Sequence, residues 1–147
     1  MIGAGGAASA ALWSLRQAGA NTNLFARDTT KTSALTERFG VACLPLEAGR
    51  FESFDLVVNA TPLGTLGEFE HETAAIASQL RGARLVYDLV YNPTETRLLR
   101  EAREAGCQTL GGLAMLVAQA AEQFKLWTGT PPPEDVMQEA AEQGLKI

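Results

Sequence analysis

Gly3-Ala4-Gly5-Gly6-Ala7-Ala8 fits the pattern G-x-G-x-x-A and runs straight into a stretch of helical period. Each small residue has a physical reason. Gly3 permits a tight turn, Gly5 lets a ligand approach the backbone, and Ala8 lets the following helix pack closely on a sheet. From residue 6 to 18 the apolar positions Ala7, Ala8, Ala11, Leu12, Leu15 and Ala18 recur at spacings of three and four, and Gly19 supplies the stop. A turn of this kind holds a pyrophosphate with backbone N–H groups and the positive end of the helix dipole. Taken alone the motif is weak, since a glycine-rich helix start also serves close packing, so its context decides.

That context alternates. Short apolar runs of strand length at 23–26, 41–44, 55–60, 85–89 and 108–110 are separated by helix-period stretches at 31–39, 95–105, 112–127 and 132–143, with a shorter helix expected at 72–80. Strand and helix in alternation specify βαβ units, hence an α/β, Rossmann-like doubly wound parallel sheet with helices on both faces. The 147 residues suit a single domain. The turn at Gly3 should follow a strand of about five residues, yet only Met1 and Ile2 precede it. The first strand is therefore expected to be cut short, and the chain to be part of a longer polypeptide.

About twenty residues past the glycine turn, at the end of the second strand, an acidic side chain would accept from a ribose 2′-OH and a basic one would hold a 2′-phosphate. The sequence there is Ala26-Arg27-Asp28-Thr29-Thr30-Lys31. Arg27 and Lys31 are expected to converge on one phosphate at a helix start, which favours NADP(H) over NAD. Asp28 keeps NAD open, or serves as a helix N-terminal acid. Asn59, Ala60 and Thr61 end a buried strand at the edge where open α/β sheets take ligands. Tyr91 follows a strand of the same kind and offers a phenol to a substrate carboxylate or hydroxyl, the plainer reading being a packed aromatic. Gln119 is a polar residue in an apolar helix, so either backbone or a ligand must satisfy its amide.

Composition removes other classes. Hydrophobic residues are 46% and charged residues 20% of the chain, which excludes global disorder, and the net charge of −5 opposes nucleic acid as a partner. Cys43 and Cys107 stand far apart and His71 is the single histidine, so neither a disulfide framework nor a metal site is expected. No apolar run is long enough to span a membrane, and residues 1–15 lack the basic start of a signal peptide. A cytoplasmic protein is expected.

The segments GAGGA at 3–7, DLVVNATPLG at 55–64, VYDLVYNPTETRLL at 86–99 and GGLAMLVAQAAEQFKLWTG at 111–129 together resemble the C-terminal NADP-binding domain of the shikimate dehydrogenase family. The resemblance implies reduction of 3-dehydroshikimate to shikimate with NADPH, in aromatic amino-acid biosynthesis. It implies that Gly3, Ala4, Gly5, Gly6 and Ala7 bind pyrophosphate, and that Ala26 to Lys31 line the adenosine phosphate pocket. Leu89, Gly112 and Met115 would lie at the nicotinamide end, with Tyr91 and Gln119 toward substrate.

Two departures stand out. The family's usual Asn-Arg-Thr is Ala26-Arg27-Asp28 here, which weakens the case for NADP, and its usual methionine is Thr65. The family's catalytic lysine and aspartate belong to an N-terminal domain, so no catalytic residue is expected in this chain. Lys31 is assigned to phosphate, Lys125 sits late on a helix and Lys146 is in the tail. The resemblance implies that N-terminal domain as a partner in cis and leaves a homodimer open. A quinate/shikimate dehydrogenase using NAD and a non-catalytic nucleotide-binding module are the rival readings.

Overall fold

The computed structural model describes residues 1–145. Helix α1 (Gly6–Gln17) leads to β1 (Asn23–Ala26), and a 3-10 turn at Thr29–Thr32 runs into α2 (Ser33–Phe39) and β2 (Ala42–Pro45). Then come β3 (Leu56–Asn59), α3 (Ala77–Leu80), β4 (Leu85–Asp88), α4 (Arg97–Glu104), β5 (Gln108–Leu110), α5 (Leu113–Thr128) and α6 (Glu134–Gly144). All pairings are parallel, β1 with β2 and β3 with β4 with β5.

Ile2 joins the two groups of strands. It bridges Phe25 on one side and Asn59 on the other. Ile2 N–H donates to Val58 C=O at 2.8 Å and Ile2 C=O accepts from Ala60 N–H at 2.8 Å, while Gly3 N–H donates to Phe25 C=O at 2.9 Å. The order is thus β2, β1, the Met1–Gly3 segment, β3, β4, β5, with the α/β doubly wound pattern expected from the alternation. A cavity of about 480 Å³ lies next to Met1 between the β1 and β3 sides, lined by Asn23, Asp55 and Leu56.

Successive strand residues point to opposite faces, so each strand feeds two cores. One face joins Ile2, Phe25, Val57 and Val86 to Leu80, Leu98 and Ala102 of α3 and α4, with Phe51 edge-on to Phe25 at a centroid distance of 5.1 Å. The other joins Met1, Leu24 and Val58 to Ala8 and Leu12 of α1 and Phe39 of α2. Helix α5 packs with α6, and Leu126 and Trp127 near its end are 81% and 77% exposed.

The helix expected at 72–80 shrinks to the single turn of α3. Ala74 and Ala75 are buried in a loop rather than a helix. The helix starts where Ala77 N–H donates to the Glu101 carboxylate of α4 at 2.8 Å and Ile76 N–H donates to Gln79 Oε1 at 3.0 Å. Tertiary capping outweighs the local periodicity. The expected helix at 31–39 likewise opens as a 3-10 turn, because Asp28 accepts from Thr30 N–H and tightens it. Lys146 lies outside the described residues.

Candidate functional site

Two cavities flank the glycine turn and share Ala60 and Thr61, at the C-terminal ends of the strands. One, of about 350 Å³, is lined by Gly3, Ala4, Gly5, Ala26, Arg27, Asp28 and Lys31. The other, of about 380 Å³, is lined by Ala7, Leu89, Val90, Tyr91 and Met115. The divide between them is the start of α1, whose N-cap residue Gly5 makes no side-chain cap bond. The first turn of that helix therefore faces the cleft without a competing side-chain acceptor at its cap.

Close approach explains two of the glycines. Gly3 has φ +103°, and a Cβ there would stand 2.8 Å from Thr61 Cγ2 and 2.9 Å from Ala60 O. A Cβ on Gly112 would meet Leu89 O at 2.3 Å, so only glycine lets α5 begin against the end of β4. Gly5 and Gly6 differ, since a Cβ at either meets nothing within 4 Å. Their smallness is not demanded by packing.

At the basic end of the cleft, Asp28 Oδ1 accepts from Thr30 N–H at 3.1 Å and from the Thr30 hydroxyl at 2.6 Å. Its other oxygen lies 3.1 Å from Lys31 Nζ. The Thr30 hydroxyl and then Lys31 hold the Asp28 carboxyl below the usual aspartate range. Arg27, among the described residues, enters no ion pair of this kind. The expected convergence of Arg27 and Lys31 thus takes a different form, with both lining one cavity while Lys31 rests on Asp28. Thr29 is not on the cavity wall; its carbonyl accepts from the Thr32 hydroxyl at 2.7 Å.

Between the ends of β3 and β4 lies a group of polar side chains with no access to solvent. Asn59 and Asp88 are both 0% exposed, and Asn59 Nδ2 donates to Asp88 Oδ1 at 2.9 Å. Asn59 Oδ1 accepts from Thr61 N–H at 3.0 Å and the Thr61 hydroxyl at 2.6 Å. Asp88 accepts from Val90 N–H at 3.1 Å and, through Oδ2, from the Thr96 hydroxyl at 2.6 Å. Burial pushes the Asp88 pKa above the ordinary aspartate value despite these three donors. Asn59, read from sequence as a neighbour of the cofactor, is instead sealed behind the cleft, because its amide is fully used inside.

Asp88 was not singled out in the sequence. Its signal is an acid in the apolar run Leu85-Val86-Tyr87-Asp88-Leu89.

Gln119 also needs correction. It is exposed, so no buried amide has to be satisfied. It faces a third cavity of about 660 Å³ between α1 and α5, with Gly6, Tyr87 and Met115 on the walls, whereas Tyr91 faces the second. Ala7, Leu89 and Met115 are common to both. Burial raises the Tyr87 phenol there. No cluster of metal-ligating side chains occurs among the described residues, and none of their helices is long and apolar enough to cross a membrane.

Residues 112–142 match the family described as Shikimate 5′-dehydrogenase C-terminal domain. A shikimate dehydrogenase (NADP(+)) from Archaeoglobus fulgidus is 42% identical over 154 aligned residues, covering 100% of this chain and 56% of the relative. The chain is similar over nearly its whole length to members of the shikimate dehydrogenase family. It matches the C-terminal domain of that family, and spans about half the length of the curated relatives it matches.

The crystal structure of the Thermus thermophilus shikimate 5-dehydrogenase in complex with NADP(H) and shikimate superposes with a TM-score of 0.85 at 39% identity, covering 97% of this chain and 53% of that one. A Corynebacterium glutamicum quinate dehydrogenase in complex with NAD superposes at 0.80 with 35% identity, covering 94% of this chain and 52% of that one. The Rossmann-like architecture of the shikimate dehydrogenase domain is thereby established for this chain.

Proposed function

We propose that this chain is the NADP(H)-binding domain of a cytoplasmic shikimate dehydrogenase, which reduces 3-dehydroshikimate to shikimate together with an N-terminal domain in cis. The observation that carries the reading is the paired cleft astride Gly3 to Ala7, with Arg27 and Lys31 at one end and Leu89, Tyr91 and Met115 at the other. Relatives named as NADP(+) enzymes, and one solved with NADP(H) and shikimate, support it. The residues fit the group. A cradle at Gly5 and Gly6 stays open where packing would have admitted a side chain, as a pyrophosphate over a helix start requires.

Bound there, NADPH would supply a hydride to a ketone carbon. Gly3, Ala4, Gly5, Gly6 and Ala7 would hold the pyrophosphate through backbone N–H groups, and Arg27 the 2′-phosphate through a charge-assisted pair. Ala26 would border the adenosine end, and Thr61, which lines both cavities, would lie between the two ends. Leu89, the Gly112 turn and Met115 would wall the nicotinamide, keeping water from the transfer. Tyr91, 41% exposed on the cavity wall, would donate to substrate, and Gln119 would contact it from the adjoining face. The acid–base pair that protonates the oxygen belongs to the other domain. Initial rates of the two-domain protein with shikimate and either NADP+ or NAD+ test the proposal: efficiency higher by an order of magnitude with NADP+ supports it, and no turnover with either overturns it.

A second reading, a quinate/shikimate dehydrogenase using NAD, is favoured by one observation. Asp28 already neutralises Lys31 at 3.1 Å, and a carboxylate at this strand end suits a ribose 2′-hydroxyl. The same rates, repeated with quinate, decide between them. Light scattering of the intact protein settles whether it is a homodimer.

A further inference from the structure

We propose that Asn59 and Asp88 are positioning residues, a buried clamp that fixes the spacing of the two loops walling the nicotinamide side of the cleft. The proposal rests on the dinucleotide reading above and extends it to residues that never touch a ligand.

The two residues stand opposite each other in the parallel register of β3 and β4. Each uses a side-chain oxygen to hold the backbone N–H two positions on, Asn59 that of Thr61 and Asp88 that of Val90. Each loop is thus gripped by the last residue of its own strand, and the 2.9 Å bond from Asn59 Nδ2 to Asp88 Oδ1 ties one grip to the other.

Thr61 and Val90 both line the cavity of about 380 Å³, while Thr61 alone of the two borders the basic cavity. The chemistry of the pair is specific. Two carboxylates would repel, and two apolar residues would leave the buried amide groups without acceptors. Thr96 also donates to Asp88, but its other bond, from Leu99 N–H at 3.3 Å, makes it the cap of α4. It grips neither loop.

A clamp on one end of a dinucleotide cleft and a merely structural core differ in what they predict. In the two-domain protein, Asp88→Ala removes the Oδ1 that accepts from both Val90 N–H and Asn59 Nδ2, so kcat falls about tenfold or more, while affinity for 2′,5′-ADP, a probe of the adenosine end alone, stays within about twofold. Thr96→Val is the control. It lowers Tm through the lost helix cap and keeps kcat near that of the parent.

Equal kcat losses in Asp88→Ala and Thr96→Val at equal losses of Tm would overturn the clamp, as would loss of 2′,5′-ADP binding in step with kcat. Should Asp88→Ala not fold, Asn59→Ser measures the same quantity, because it keeps an oxygen for Thr61 N–H and removes the cross-strand bond together with the 3.3 Å donation from Asn59 Nδ2 to Leu63 C=O. If the parent binds neither 2′,5′-ADP nor NADP+, the nucleotide reading has failed on its own. The clamp is then read from amide chemical shifts, which in Asn59→Ser move at both Thr61 and Val90 if it exists and at Thr61 alone if it does not.

Discussion

The Lys31 ammonium sits 3.1 Å from the carboxylate of Asp28, so the cation that the sequence offers to a phosphate already has an anion of its own. The pair is open to water, with side chains 84% and 44% exposed, and such contacts are screened and readily exchanged. An incoming phosphate therefore competes with Asp28 for Lys31, whereas Arg27, among the described residues, is in no ion pair.

This ranks the two cations. Replacing Arg27 by Gln removes a charge-assisted bond worth about 1.5 to 3 kcal/mol, which at about 1.4 kcal/mol per decade raises KM for NADPH roughly 10- to 100-fold. KM for NADH changes little. Steady-state rates with each coenzyme check this, and an unchanged KM for NADPH would remove Arg27 from the site.

Asp28→Asn has the opposite sign. The amide keeps an oxygen for Thr30 N–H, so the 3-10 turn survives, but the charge that holds Lys31 is gone. The ratio of efficiencies for NADP+ over NAD+ rises several-fold, and the rise shrinks as salt is added because the contact is solvent-exposed. A ratio that falls would mean that Asp28 does not compete for Lys31.

The strands could be read from sequence because each is a short apolar run between turn residues, and 23–26 and 108–110 coincide with β1 and β5. The glycine turn was legible for the same reason, since Gly3 answers a steric need that sequence spacing expresses. Asp88 was not. An acid in a buried strand has no meaning until the register sets Asn59 beside it, and that pairing spans residues far apart in the chain. Gln119 failed in the other direction: an apolar helix looks buried from its sequence, yet only Val117 and Ala121 of α5 are.

The glycines of the turn separate folding from binding. Gly3→Ala forces a Cβ to 2.8 Å from Thr61 at a φ of +103°, and strain of this kind costs about 1 to 3 kcal/mol, seen as a Tm lower by several degrees. Gly5→Ala meets open space at an ordinary φ of −85°, so Tm holds while KM for the coenzyme rises at least tenfold. Thermal melts run beside kinetics decide it, and a Gly5→Ala protein with normal KM would show that the backbone there is not approached by a ligand.

Asp88 makes stability depend on pH in a direction that burial fixes. Its folded pKa lies above the ordinary aspartate value of 3.8, so between the two the native state binds more protons than the unfolded one, and stability falls as pH rises. The contribution is fully present below the unfolded pKa and lost once pH passes the folded one. The Asn in Asp88→Asn cannot titrate. Urea unfolding of parent and variant from pH 3.5 to 8 should show the parent losing stability relative to the variant as pH increases, with a slope no steeper than about 1.4 kcal/mol per unit, then a plateau. A difference that grows in favour of the parent would mean that the donations from Thr96, Val90 and Asn59 outweigh desolvation, and that the clamp holds its carboxylate charged at no cost.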